Sequence, residues 1–375
     1  MAHSYTPGLK VLKSTKILKE RRLPLKGSVE SKVGERVKPN DIVAKTDLPG
    51  NVQMINVANQ LNIDASDINQ CMIKTAGESI HKNDLIAETK GIFGFFKSSV
   101  LSPCEGTIET ISDVTGQVVL RQSPIPVEVD AYIEGKVNEV ISAEGVVIKT
   151  NGVFIQGIFG IGGESRGEIK TIVDNRESEI TKEMITDEEK GKIIIGGSFI
   201  SIDAYKKAID FEVAGIVVGG FNYYDLEEIL GYTLGVAITG SEDLYTSLIV
   251  TEGYGKIQMG QQTFDLLNTY NGKLASINGA TQIRAGVIRP EIIIPLDSSD
   301  ASMQSNDSNQ SDGMTIDSLV RVIRSPNFGK IGLVKELPPE LREMESETMV
   351  RVAIVHIDGN RFEIPRSNLE VVETD

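Results

Sequence analysis

Along the N-terminal third of the chain, apolar and polar positions alternate in short runs separated by Gly, Pro and Asn-Asp. This is the pattern of half-buried strands joined by tight turns. Val33-Gly34-Glu35-Arg36-Val37-Lys38-Pro39-Asn40-Asp41-Ile42-Val43-Ala44 sets the form. A glycine opens a turn, one apolar position follows, then a polar turn, then an alternating strand ending in alanine. The form returns as Ala76-Gly77-Glu78-Ser79-Ile80-His81-Lys82-Asn83-Asp84-Leu85-Ile86-Ala87. In both copies the Asn-Asp pair is expected to bond the turn backbone through its side chains. Ser102-Pro103-Cys104-Glu105-Gly106-Thr107-Ile108 predicts another turn and strand, and Thr115-Gly116-Gln117-Val118-Val119-Leu120 one more.

Further strands are expected at 131–137 and 145–148, before a passage rich in glycine: Gln156-Gly157-Ile158-Phe159-Gly160-Ile161-Gly162-Gly163-Glu164. Two readings stay open here. Free amides at Gly160, Gly162 and Gly163 would cradle an anion. Alternatively, the glycines let two backbones pack closely. No Lys-Ser/Thr pair follows, so a P-loop is excluded, and no helical pattern follows at once, so a dinucleotide fingerprint is excluded too.

From 185 to 298 the period changes. Apolar runs that exit into glycine or threonine (192–197, 215–220, 235–240, 248–253), with later runs at 274–277 and 291–295, alternate with helical segments. This predicts an α/β unit with a parallel sheet. In such sheets ligands bind beyond the carboxyl ends of the strands. Those ends carry Thr239, Ser241 and Glu252, and the polar stretch that follows carries Arg284 and Arg289. Small and hydroxyl residues there suit either a crevice or tight turns. The arginines would clamp a carboxylate or phosphate, or pair with acids of the chain itself. Neither a Ser–His–Asp set nor a nucleophilic cysteine context is apparent.

Asp297 to Gly313 is polar and of low complexity, and predicts a disordered linker. Beyond it, short alternating strands with an Asn-Phe-Gly turn and an Asp358-Gly359-Asn360 turn predict a small SH3-like barrel. The expected division is therefore 1–168, a β region; 169–296, an α/β domain; 297–313, a linker; and 314–375, a small barrel.

Charge changes the picture of partners. The chain has 375 residues and a formal net charge of −15, which repels nucleic acid over the whole surface and argues against DNA. The exception is 1–26, with seven Lys or Arg against Glu20 alone. That segment is either a solvated first strand or a contact arm for an acidic partner or RNA. Two cysteines and three scattered histidines build neither a disulfide framework nor a zinc site, and no cofactor is expected. No apolar run reaches a membrane span and no signal core follows the N-terminus, so the expected location is the cytoplasm.

With those residues in view, Gly-Glu-x-Ile-x-Lys-Asn-Asp-Leu-Ile-Ala followed by Ser-Pro-x-x-Gly-Thr-Ile resembles the barrel-sandwich hybrid of lipoyl and biotinyl carrier domains. The same grammar occurs in Rnf-complex and quinone-reductase subunits and in RNA polymerase hybrid motifs. The resemblance covers roughly residues 25–125 and implies a fold rather than a function. A carrier lysine would sit at a hairpin tip just before the Ser-Pro turn. Lys90 and Lys97 are the candidates, but Gly91 follows the first, Phe96 and Ser98 flank the second, and neither has carrier context. The loop 91–96 reads as an apolar packing or partner contact. At the other end, Arg-Val-Ile-Arg-x-Pro-Asn-x-Gly-Lys-Ile-Gly-x-Val and Pro-x-x-Asn-Leu-Glu-Val resemble a KOW module, which implies binding to RNA or protein. Residues 313–375 hold eight Lys or Arg against eleven Asp or Glu, which favours protein. The functional expectation is a non-catalytic interaction or assembly protein. The alternatives are an enzyme or enzyme subunit with a small anion in the α/β crevice, and a lipoyl- or biotinyl-type carrier.

Overall fold

The structure is a computed structural model that describes residues 9–90, 97–231, 239–240, 242, 244–282, 288–296, 314–322, 327, 330–343 and 349–374. It is rich in β-strands, which assemble into several sheets. The expected linker, the apolar loop 91–96, and Ser241 and Arg284 lie outside the described residues.

The basic N-terminal segment becomes one long strand, Leu9–Arg22, antiparallel to Gly145–Gln156 from Val11↔Ile155 to Arg22↔Gly145. Leu9, Val11 and Ile17 are buried; a register shift between Leu12 and Thr15 sends Val11 into the core with Ile155 and Ile17 into another with Ile148. The chain's own acids meet several of its cations: Lys19 reaches Glu291, Arg21 reaches Asp130 and Glu164, and Arg22 reaches Glu144. This is the strand reading of the segment, with much of its charge answered internally.

The two sequence copies match hydrogen bond for hydrogen bond. Gly34 and Gly77 take φ of +89° and +90°, which only glycine adopts cheaply. The next glutamate folds back, so that Glu35 accepts from the Lys32 amide and Glu78 from the Thr75 amide. Six residues on, Asp41 accepts from the Lys38 amide and Asp84 from the His81 amide. The aspartate alone of the Asn-Asp pair thus closes the turn, while Asn40 accepts instead from Arg166. Each copy also meets a strand that opens with Glu-Gly: Ile80 faces Gly106, and Val37 faces Gly135. The copies are nested. Ile42–Leu48 pairs with Ile125–Asp130, and between these two strands the chain builds a separate unit with its own core of Ile55, Val57, Ile68, Ile80, Ile86, Ile108, Val118 and Leu120. The outer copy packs Ile17, Val37, Val43, Tyr132, Val137 and Ile148.

The expectation of a separate parallel α/β unit is corrected, because the central sheet is mixed. Glu164–Thr171, Ile193–Ile195, Gly215–Phe221 and Ser247–Tyr254 do run parallel in succession. On one side, however, Phe159–Ile161 joins antiparallel to Ser247–Tyr254. On the other, Leu274–Asn278 and Glu291–Pro295 return antiparallel, and the latter pairs with Gly145–Gln156. The physical reason is the glycine passage. After Gly145–Gln156 the chain bends at Gly157 and re-enters the far side of the same sheet, so the pairing returns to the strand it left. Three short helices, Ile202–Asp210, Tyr223–Leu230 and Gln261–Thr269, accompany it. The core holds Ile193, Ile194, Ile195, Ile216, Val217, Val218, Leu248 and Ile249, all fully buried as continuous apolar runs.

One buried carboxylate sets an acid limit on this unit. Glu189 forms a capping box with Thr186 and accepts from Lys170 Nζ at 2.5 Å. Burial works to raise its pKa, but the bonds from Lys170 and Thr186 outweigh burial and hold it below the ordinary value of 4.5. A depressed carboxylate contributes stability that is present above its unfolded value and lost as pH falls through the folded one. Glu189→Gln should therefore weaken the protein near neutrality and flatten its loss of stability below about pH 5, as read by urea unfolding across a pH series. An unchanged acid limb would refute this role.

Near the C-terminus five strands, Leu319–Val322, Ile331–Glu336, Met349–Ile357, Asn360–Pro365 and Leu369–Thr374, form a curled antiparallel sheet around Val320, Val334, Ala353, Val355 and Leu369. This unit does not stand apart. Its final strand runs parallel to the first strand of the chain, with Leu9 facing Val372 and Val11 facing Thr374.

Candidate functional site

The sequence-predicted ligand residues fall into two places. The first surrounds the glycine passage. Thr239 Oγ1 donates to the Gly160 carbonyl at 2.7 Å, the Thr281 amide donates to Thr239 Oγ1 at 2.9 Å, and Thr281 Oγ1 accepts from the Gly160 amide at 2.9 Å. Both threonines are buried. A side chain at Gly160 would put its Cβ 2.6 Å from the Gly279 carbonyl oxygen, so close backbone packing is what this glycine serves. Gly162, at φ +77°, donates its amide to Glu242 Oε2 at 3.0 Å, and Gly240 donates to the same oxygen at 2.7 Å. A protein carboxylate thus takes the two amides, one of them assigned to an anion by the ligand reading. The Gly163 carbonyl accepts from Ser247 Oγ at 3.0 Å.

The second place is a buried ion network. Arg321 Nη1 donates to Glu252 Oε2 at 2.5 Å and to the Thr251 carbonyl at 3.0 Å. Arg321 Nη2 donates to Glu370 Oε2 at 3.0 Å, and Arg289 Nη2 to Glu370 Oε1 at 2.6 Å. Glu252 Oε1 accepts from the Gly260 amide at 2.9 Å, at the start of helix Gln261–Thr269. Glu252 and Arg289 come from the central unit, Arg321 and Glu370 from the C-terminal sheet. The two candidate ligand residues are therefore joined, but to each other's partners across a seam between units. Side-chain exposure is only 4% for Arg321, 7% for Glu252 and 3% for Glu370, so the charges are desolvated and depend on one another. The cleft beside them, lined by Arg321, Gly260 and Leu319, holds only about 50 Å³.

Sequence reasoning missed Arg321 and Glu370, because an arginine in an alternating strand looks like any outward-facing charge. It also missed an aromatic face. Tyr223 and Tyr224 open helix Tyr223–Leu230, and Tyr254 ends strand Ser247–Tyr254. Tyr223 stacks edge-on with Tyr224 at 5.9 Å and with Tyr254 at 5.3 Å, and Tyr254 leans on Phe159 at 5.6 Å. Tyr224 is 76% exposed and Tyr254 45%. Burial, with Tyr223 adding to it, pushes the Tyr254 phenol up to about 12, so its hydroxyl stays protonated and neutral at physiological pH.

The chain matches no family model and no curated protein. Among the described residues no group of His, Cys, Asp and Glu is placed to hold a metal ion.

Proposed function

We propose that this protein is a non-catalytic interaction or assembly protein of the cytoplasm that acts through protein–protein contacts. On this reading, its N-terminal region is a barrel-sandwich hybrid, its centre an α/β unit, and its C-terminal sheet a KOW-like SH3 barrel. The turns repeated at Gly34 and Gly77 support the first assignment, the parallel run in the central sheet the second, and the five-stranded curled sheet the third.

The observation that carries the functional reading is the aromatic face of Tyr223, Tyr224 and Tyr254. Tyrosine is enriched at protein interfaces, because it brings a large amphipathic contact area with few rotatable bonds. An edge-to-face cluster with Tyr224 largely in solvent is what such a contact uses. The crevice candidates Thr239, Glu252 and Arg289, by contrast, are engaged inside the fold. With the whole chain at −15, the partner's contact face is expected to be basic.

Tyr224→Ala tests this. The protein purified from its native source should carry a stoichiometric protein partner. The variant should lose that partner while keeping the wild-type melting temperature, because the side chain is exposed. A chain that purifies alone, or a partner retained undiminished by Tyr224→Ala and Tyr254→Ala together, would overturn the reading.

A further inference from the structure

A second cleft, of 310 Å³, opens on the opposite kind of chemistry. Its charged lining is Arg36, Lys136, Lys149 and Lys273 against Glu134 alone. On a chain with 53 acidic and 38 basic residues this is a local inversion of charge. The register shows how it arises. Lys149 in strand Gly145–Gln156 lies directly opposite Lys136 in strand Gly135–Ile141, and Lys136 lies directly opposite Arg36 in strand Arg36–Val37. Direct partners on neighbouring strands share a face, so three cations stand in one row across three strands, spanning about 10 Å at about 4.8 Å per strand.

Like charges placed directly opposite one another destabilise a sheet. Elsewhere the fold avoids this by pairing its cations, as with Lys19, Arg21 and Lys170. In the row, none of Arg36, Lys136 and Lys149 lies within ion-pair distance of an acidic side chain among the described residues. A single carboxylate would answer one or two of these charges. An anion that answers all three must spread its charge along the row. The wall beyond the row is different: Leu274, Pro295 and Leu296 line it, and Leu274 is 42% exposed. The volume falls within the usual range for small-molecule sites, about 300–1,000 Å³.

We infer that this cleft binds a small organic polyphosphate, its phosphates along Arg36, Lys136 and Lys149 and its organic part against Leu274, Pro295 and Leu296. The site is independent of the tyrosine face, and its failure leaves the partner reading intact.

Calorimetric titration at low ionic strength tests the inference, with inorganic tripolyphosphate, ADP and adenosine as probes. Tripolyphosphate and ADP should bind, and adenosine should not. The double variant Lys136→Gln/Lys149→Gln should weaken both anions by at least about tenfold, since removing one charge-assisted hydrogen bond costs about that factor. Leu274→Ser should weaken ADP and leave tripolyphosphate unchanged. The double variant should also melt at or a few degrees above the wild type without ligand, because like-charge repulsion has been removed, so weaker binding with retained stability marks a ligand site. Absence of binding by both anions, or equal affinity in the double variant, overturns the inference. An effect of Leu274→Ser on neither anion overturns the placement of the organic part.

Discussion

Arg321→Met should lower the free energy of unfolding by about 3–5 kcal/mol, the usual result of removing one partner from a buried charge set. Methionine fills the space of the arginine stem but leaves Glu252 with only the Gly260 amide and Glu370 with only Arg289. The cost is desolvated carboxylates deprived of their cation, rather than the loss of a surface attraction. The penalty should concentrate at the seam, so the C-terminal sheet should lose hydrogen-exchange protection ahead of the central core. Strand Leu369–Thr374 lies against Leu9–Arg22 as well, and that backbone pairing remains in the variant. The triple variant Glu252→Gln, Arg321→Met, Glu370→Gln separates the two explanations. If the penalty is unpaired charge, the triple variant should recover a large part of it, because neutral groups are cheaper to bury. A single variant within about 1 kcal/mol of wild type, the range of exposed pairs, would show that the network is not desolvated as its burial implies.

Much of the N-terminal architecture is legible in the sequence, for a local reason. The repeated Gly-Glu and Asn-Asp turns are made by side chains that bond to backbone three residues away, so the pattern and the structure share one length scale. The second repeat, Glu-Gly at 105–106 and 134–135, is equally present in the sequence. It gains meaning only when Ile80 is seen to face Gly106 and Val37 to face Gly135. The nesting of one copy inside the hairpin of the other is a long-range fact that no local turn encodes.

The central unit shows the limit differently. Runs such as Ile193-Ile194-Ile195 and Gly215-Ile216-Val217-Val218 report burial on both faces, and parallel strands satisfy that. A strand such as Glu291–Pro295 is just as buried yet runs antiparallel, so hydrophobicity alone does not set direction. For the candidate site, the residue types were informative and their partners were not. Thr239, Glu252, Arg289 and the glycines 160, 162 and 163 do converge on polar networks. Those networks bind the chain to itself, because the complementary groups, Thr281, Glu242, Arg321 and Glu370, come from distant positions.

The other large effect is expected at Tyr132. Tyr132→Ala should cost about 3–5 kcal/mol, typical of removing a large aromatic from a tight core. Tyr132 is only 1% exposed and joins the outer hairpin copy to the central sheet. Arg21 and Arg166 lie over its ring at 5.3 and 5.9 Å, and both also hold Asp130. Its carbonyl accepts from Ser276 Oγ at 2.5 Å, and its hydroxyl donates to Glu291 at 3.3 Å. Burial first, then the nearby Glu291, holds the phenol well above its ordinary value, so it remains a protonated donor at physiological pH. The backbone works in the opposite direction. Tyr132 sits at φ +64°, a conformation that costs a non-glycine residue about 1 kcal/mol or more. Alanine keeps that strain while losing the ring; Tyr132→Gly loses the same ring but relieves the strain. The glycine variant should therefore be as stable as the alanine variant or more so, the reverse of the usual order in regular structure. Tyr132→Phe should cost only about 1 kcal/mol, because Glu291 keeps its bond from Lys19. Unfolding by urea, followed at constant pH for the three variants, gives the order directly. Phenylalanine as costly as alanine would move the weight from the ring to the hydroxyl, and alanine clearly more stable than glycine would show that the strained backbone is not what sets the cost here.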